Sequence, residues 1–273
     1  MHDLIELFTH SVVAKIIVLL FIALIMWWGF LHANGASSEA LQLWAASYQA
    51  IAFVGALAGF AIAKRWGGAR SIMGRAILAG AWGLLFQCFG QSSYSFYIYY
   101  LNQPVPYPSI GDLGYSGSIF CYLYGAILLA RVSGAHISLR NVRSQIASVV
   151  IPVILLGSSY AFFLRGYEFD WSQPLKVILD FGYPLGQATY VSMAILAFLL
   201  TRNLLGGIMR HPLLVYISAL VMQYFADFTF LNQASQGTWY AGGVNDAMYL
   251  VSYLIMSVAL LYIGHMFYRI QRT

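Results

Sequence analysis

Runs of about twenty apolar residues, separated by short polar connections, recur along the whole of this 273-residue chain. Crossing about 30 Å of hydrocarbon takes about 20 helical residues at about 1.5 Å each. Eight stretches meet that requirement: residues 11–32, 41–63, 72–98, 111–131, 145–164, 177–200, 212–231 and 245–267. The pattern predicts an all-α integral membrane protein, a single domain over 1–273 with eight transmembrane helices. Composition points the same way, with 60% hydrophobic and only 8% charged residues and a mean hydropathy of +0.72. A soluble domain carries about 25% charged residues, so this chain could not cover its own surface for water.

Charge sorting then assigns the two ends of the helices. Lys15, Lys64, Arg65, Arg70, Arg75, Arg131, Arg140, Arg143, Arg202, Arg210, Arg269 and Arg272 fall on the amino-terminal side of the alternating spans. Only Arg165 and Lys176 fall on the other. The positive-inside rule predicts cytoplasmic amino and carboxyl termini, an even number of spans and an inner-membrane location. The net charge of +5 is thereby a topology signal rather than a sign of a nucleic-acid partner. A cleaved signal peptide is the competing reading of the first span, but Asp3 and Glu6 replace the basic cluster such a peptide carries.

The starts of the even spans align with one another. Glu39-Ala-Leu-Gln42, Asp112-Leu-Gly-Tyr115, Asp180-Phe-Gly-Tyr183 and Asp246-Ala-Met-Tyr249 each place an acid three residues before a Tyr or Gln. The repeated unit is a helical hairpin, used at about 11–63, 72–131, 145–200 and 212–267. Since each hairpin returns the chain to the same side, the four are parallel repeats about an axis along the membrane normal.

Helical spacing turns the motif into a surface. Asp180, Tyr183, Gln187 and Tyr190 form one stripe, Asp246, Tyr249 and Tyr253 a second, and Asp112, Tyr115 and Tyr122 a third. Glu39, Gln42 and Gln49 are a degenerate fourth. Polar groups at membrane depth turn inward, so the stripes are expected to face a common centre, with Gln91 and Asp227 contributed by odd spans. The competing reading of Asp112 and Asp246 is helix capping, because Ser109-Ile-Gly-Asp112 has the spacing of a capping box. Asp227 lies near the end of its helix, where the dipole disfavours a carboxylate, so a buried Asp227 needs a partner.

Other chemistries find no support in the residues. Lys15, Lys64 and Lys176 all sit near span ends, unsuited to a mid-membrane Schiff base. His2, His10, His32, His136, His211 and His265 are also terminal or interfacial, and read as structural rather than haem ligands. Neither a catalytic set nor metal ligands can be assigned, and no cofactor is named. Cys88 and Cys121 leave a disulfide open but read as small hydrophobes.

Pro106-Tyr-Pro-Ser-Ile-Gly-Asp-Leu-Gly-Tyr115, Phe181-Gly-Tyr-Pro-Leu-Gly-Gln187 and the segment Gly237 to Tyr249 resemble the multi-span amino-terminal region of many prokaryotic diguanylate cyclases and sensor histidine kinases. The resemblance implies a sensory membrane input for a cytoplasmic output domain. Here only Arg-Ile-Gln-Arg-Thr follows Tyr268, which implies a stand-alone module signalling through a separate protein. Gln91 and Gln187 also stand where that family's pattern often has an acid.

The expected function is therefore a membrane sensory or ligand-binding module with an outward-facing pocket for a small molecule or cation. The expected partners are the lipid bilayer, that ligand and a separate signalling protein. A solute or ion transporter, a lipid-directed membrane enzyme and an assembly subunit packing through Gly55 and Gly59 are the alternatives.

Overall fold

The computed structural model describes residues 6–9, 11–132, 142–201 and 210–272. His2, His10, His136, Arg140 and Arg202 lie outside the described residues. The described residues are predominantly helical, with no strand among them. Its helices are α1 (Val12–Ala33), α2 (Ser38–Ala45), α3 (Ala50–Arg65), α4 (Ile72–Ser95), α5 (Gly111–Val132), α6 (Val142–Ser159), α7 (Pro174–Thr201), α8 (Arg210–Ser235) and α9 (Val244–Arg272). α4 and α6 each run on into one π-helical turn, Phe96–Tyr100 and Tyr160–Leu164.

Among the described residues, seven segments are long and apolar enough to cross a membrane, identifying a multi-pass membrane protein. α2 and α3 count as one of them, Ser38–Arg65. The eighth expected span, α7, is a helix of 28 residues that is not among these seven.

Six helices close into a ring in the order α3, α4, α5, α7, α8, α9 and back to α3. α1 packs outside it against α9 and α3, and α6 outside it against α7. Both outer helices show apolar stripes to their surroundings: Val12, Leu19, Met26 and Phe30 on α1, and Val142, Ile146, Val149 and Val153 on α6. Such faces are stable only against hydrocarbon or another apolar surface.

Small residues set the helix spacing within the ring. A Cβ on Gly114 of α5 would lie 2.6 Å from the backbone nitrogen of Gly90 on α4, so only glycine permits this approach. Gly55 and Gly59 of α3 are likewise occupied inside the chain. A Cβ on Gly55 would meet Ser257 Cβ of α9 at 2.8 Å, and one on Gly59 would meet Ala81 Cβ of α4 at 2.8 Å. These two glycines therefore seat α3 between α4 and α9, which removes them as a docking face for another subunit.

The second span is not the uninterrupted helix expected from 41–63. Between α2 and α3 the ladder tightens to i→i−3 bonds, Ser47 N–H to Trp44 O at 2.9 Å and Ala50 N–H to Ser47 O at 3.1 Å. The turn is pinned by Trp44, whose indole N–H donates to Leu24 O at 2.8 Å, and by the fully buried Tyr48.

Candidate functional site

One end of the ring, where α5, α7 and α9 begin and α4 and α8 finish, holds a cavity of about 580 Å³. It reaches the surface at Ala234 and Ser235, which are exposed. The basic residues Lys64, Arg65, Arg75, Arg131 and Arg210 lie at the opposite helix ends.

Four carboxylates line this cavity: Asp112 from α5, Asp180 from α7, Asp227 from α8 and Asp246 from α9. Each of their eight oxygens accepts a hydrogen bond from an uncharged donor. Asp112 accepts from the Tyr183 hydroxyl at 2.5 Å and from the Ser109 backbone N–H at 2.6 Å and hydroxyl at 3.0 Å. Asp180 accepts from Tyr107 at 2.7 Å and Tyr167 at 2.6 Å. Asp227 accepts from Tyr249 at 2.8 Å, Gln223 at 3.0 Å and Tyr190 at 3.1 Å. Asp246 accepts from the Gly242 N–H at 2.6 Å and from Tyr48 at 3.4 Å.

No basic nitrogen lies within 4.0 Å of any of these carboxylates among the described residues, and Lys176 is the one cationic residue in the lining. The neutral donors engage every carboxylate oxygen but supply no positive charge to balance the acids. Capping and cavity roles coincide in Asp112 and Asp246: one oxygen closes a backbone turn, the other takes a phenol from a neighbouring segment.

The two clusters at α4–α5 and α8–α9 follow the same plan. Asp112, Tyr115 and Ser118 recur as Asp246, Tyr249 and Ser252, each 134 residues on. Gln87 and Gln91 on α4 recur as Gln223 and Asp227 on α8, each 136 residues on. The bonds recur too. Tyr115 donates to Gln91 at 2.9 Å where Tyr249 donates to Asp227, and Gln87 pairs with Ser118 at 2.7 Å where Gln223 pairs with Ser252 at 2.8 Å. Tyr183 reaches Asp112 as Tyr48 reaches Asp246. The chief departure is Gln91 opposite Asp227, an amide in place of an acid.

Of the residues expected at the centre, Gln91, Asp112, Tyr115, Asp180, Tyr183, Gln187, Asp227, Asp246 and Tyr249 line the cavity. Tyr122, Tyr190 and Tyr253 do not. They are fully buried beneath it, where Tyr253 donates to Gln87 at 3.0 Å and Tyr122 packs edge-on against Tyr190. The degenerate stripe on the second span is a correction: Glu39 is exposed, and Gln42 and Gln49 are not in the lining. The tightened turn after α2 presents Tyr48 instead.

Sequence reasoning also missed Tyr94, Tyr107, Tyr167, Phe230 and Trp239 in the lining. Tyr107 lies inside the Pro-Tyr-Pro run already singled out, so a signal for it existed. Tyr167 and Tyr107 come from two different connections and meet only on Asp180, which nothing local in either segment announces. Their phenols are held above the ordinary range, Tyr167 to about 12 by its hydrogen bond to Asp180, Tyr107 by desolvation and the same carboxylate. Beside them Asp170 is held below its ordinary value by the hydroxyl and N–H of Ser172.

Cys88 and Cys121 are unbonded. Compared with protein-family models, curated proteins and solved structures, the chain matches none.

Proposed function

We propose that this chain is a ligand-binding membrane sensor, whose chamber takes a small organic cation from the outer side and reports it to a separate protein. The observation that carries the reading is the set of four carboxylates around one aromatic chamber, none paired with a basic side chain among the described residues. Carboxylates beside ring faces suit a cation, both by charge and by cation–π attraction of about 0.5–2 kcal/mol per ring.

Binding is favoured over conduction by what lies beneath. Below the Gln87, Ser118 and Tyr253 layer, Tyr122, Tyr190 and Tyr216 are fully buried, and a Cβ on Gly83 would already overlap the Tyr122 ring. That packing leaves the chamber a floor.

In this reading α7 is also a span, giving eight, and the hairpins α1–α3, α4–α5, α6–α7 and α8–α9 are repeats of one unit. The basic helix ends face the cytoplasm across an inner membrane, with both termini on that side. The resemblance to membrane input regions of cyclases and kinases supports a signalling role.

The test is native mass spectrometry of gently purified protein, with denaturing extraction of whatever it carries. A stoichiometric small cation, lost in Asp246→Asn, is the expected result. A protein that carries nothing, and that moves a cation across reconstituted vesicles in a manner dependent on Asp227, would replace the sensor by a transporter.

A further inference from the structure

Resting on that cation-binding reading, we infer that the chamber selects an N-alkylated ammonium bearing a hydrogen-bonding group, a choline-like cation, over inorganic cations and primary amines. Three observations converge on it.

The first is the state of the carboxylates. All eight oxygens already accept a phenol, amide or backbone donor, with three donors each on Asp112 and Asp227. A metal ion binds by direct oxygen contact, and a primary ammonium by donating three N–H bonds, so either competes for oxygens that are already engaged. An alkylated ammonium donates nothing. It takes from the site only charge and ring faces, and so leaves every one of these hydrogen bonds in place.

The second is size and wall chemistry. About 580 Å³ is far more than an inorganic ion requires. Tyr94, Tyr183, Tyr249 and Phe230 from four helices and Trp239 from the α8–α9 connection supply rings around the acids, the arrangement that recognises quaternary ammonium groups.

The third is Gln187. It is only 5% exposed and lines the cavity, yet its side chain makes no hydrogen bond among the described residues, in contrast to Gln87, Gln91 and Gln223. Its amide is not sealed in protein but opens onto the cavity, with its hydrogen-bonding capacity unused by the described residues. One turn from Tyr183 on α7, it is placed to meet a hydroxyl or carbonyl attached to the cation, which simple tetraalkylammonium lacks.

The experiment is calorimetric titration of the full chain in nanodiscs with choline, tetramethylammonium, ethanolamine, sodium chloride and 3,3-dimethylbutan-1-ol, the uncharged carbon isostere of choline. Choline binding at least tenfold tighter than ethanolamine is expected, with tetramethylammonium weaker than choline by about tenfold, the worth of one hydrogen bond. Gln187→Leu is expected to erase the difference between choline and tetramethylammonium while leaving tetramethylammonium affinity unchanged. Ethanolamine or sodium binding as tightly as choline overturns this inference and leaves the cation reading standing. The uncharged isostere binding as tightly as choline overturns both, as does the absence of heat from every probe at millimolar concentration.

Discussion

Tyr249 and Asp227 face each other across the α8–α9 contact, with the phenol donating to Oδ1 at 2.8 Å, and the equivalent pair on α4–α5 is Tyr115 and Gln91 at 2.9 Å. The same geometry thus carries an acid in one half of the ring and an amide in the other. The charge at Asp227 is therefore not required to fasten the two helices, since a neutral amide does that work in the sister position. What the acid adds is a group able to bring negative charge to the chamber.

Removing the phenol is the sharper insult. Tyr249→Phe is expected to cost about 1.5–3 kcal/mol, the range for a hydrogen bond to a charged group, because Asp227 loses one of three donors at membrane depth. Asp227→Asn is expected to cost less. A double-mutant cycle on thermal melting checks this, and purely additive losses would show that the pair is not coupled.

Asp180 joins two connecting segments through two phenols, Tyr107 from the 101–110 connection and Tyr167 from the segment between α6 and α7. Tyr107→Phe is expected to raise hydrogen exchange across 101–110 while leaving α4 and α5 protected. Unchanged exchange there would mean that the carboxylate does not hold the segment.

The pH dependence of that clasp follows from the sign of the Tyr167 shift. Its phenol is raised from 10.0 to about 12 by the Asp180 hydrogen bond, so the bond's contribution is complete below pH 10 and is lost as pH rises toward 12. A tyrosinate difference titration of the wild type against Tyr167→Phe is expected to show a late-titrating group. If the group missing from the variant titrates near 10, the clasp is open in solution.

The glycines separate packing from propensity. Gly114→Val is expected to destabilise by about 3 kcal/mol or more, since the added carbons meet Gly90 backbone. Gly157→Ala on α6, with nothing within 4 Å of the new Cβ, is expected to be neutral or stabilising by about 0.5–1 kcal/mol. Equal effects at the two positions would refute the helix spacing described for α4 and α5.

The helices and most of the chamber were legible in the sequence because hydrophobic run length and the Asp-x-x-Tyr spacing are local signals. Asp112, Asp180 and Asp246 line one cavity as that spacing implied. Tyr48 was not legible. It sits in an apolar stretch that reads as continuous helix, and its position depends on a turn pinned from another helix by Leu24 O. Depth along the stripe was misjudged as well, since Tyr122, Tyr190 and Tyr253 share the helical face of the acids but lie one to three turns below the cavity. The closed order of the ring, with α1 and α6 left outside, depends on tertiary contacts that no window of sequence contains.

The central claim, an anionic chamber that binds an organic cation, is tested most directly by the affinity of choline for the wild type and for Asp180→Asn, Asp227→Asn and Asp246→Asn, each verified as folded by its melting transition. The account predicts one site per chain in the wild type, and affinity at least tenfold weaker in each variant. Choline affinity unchanged in all three would contradict it.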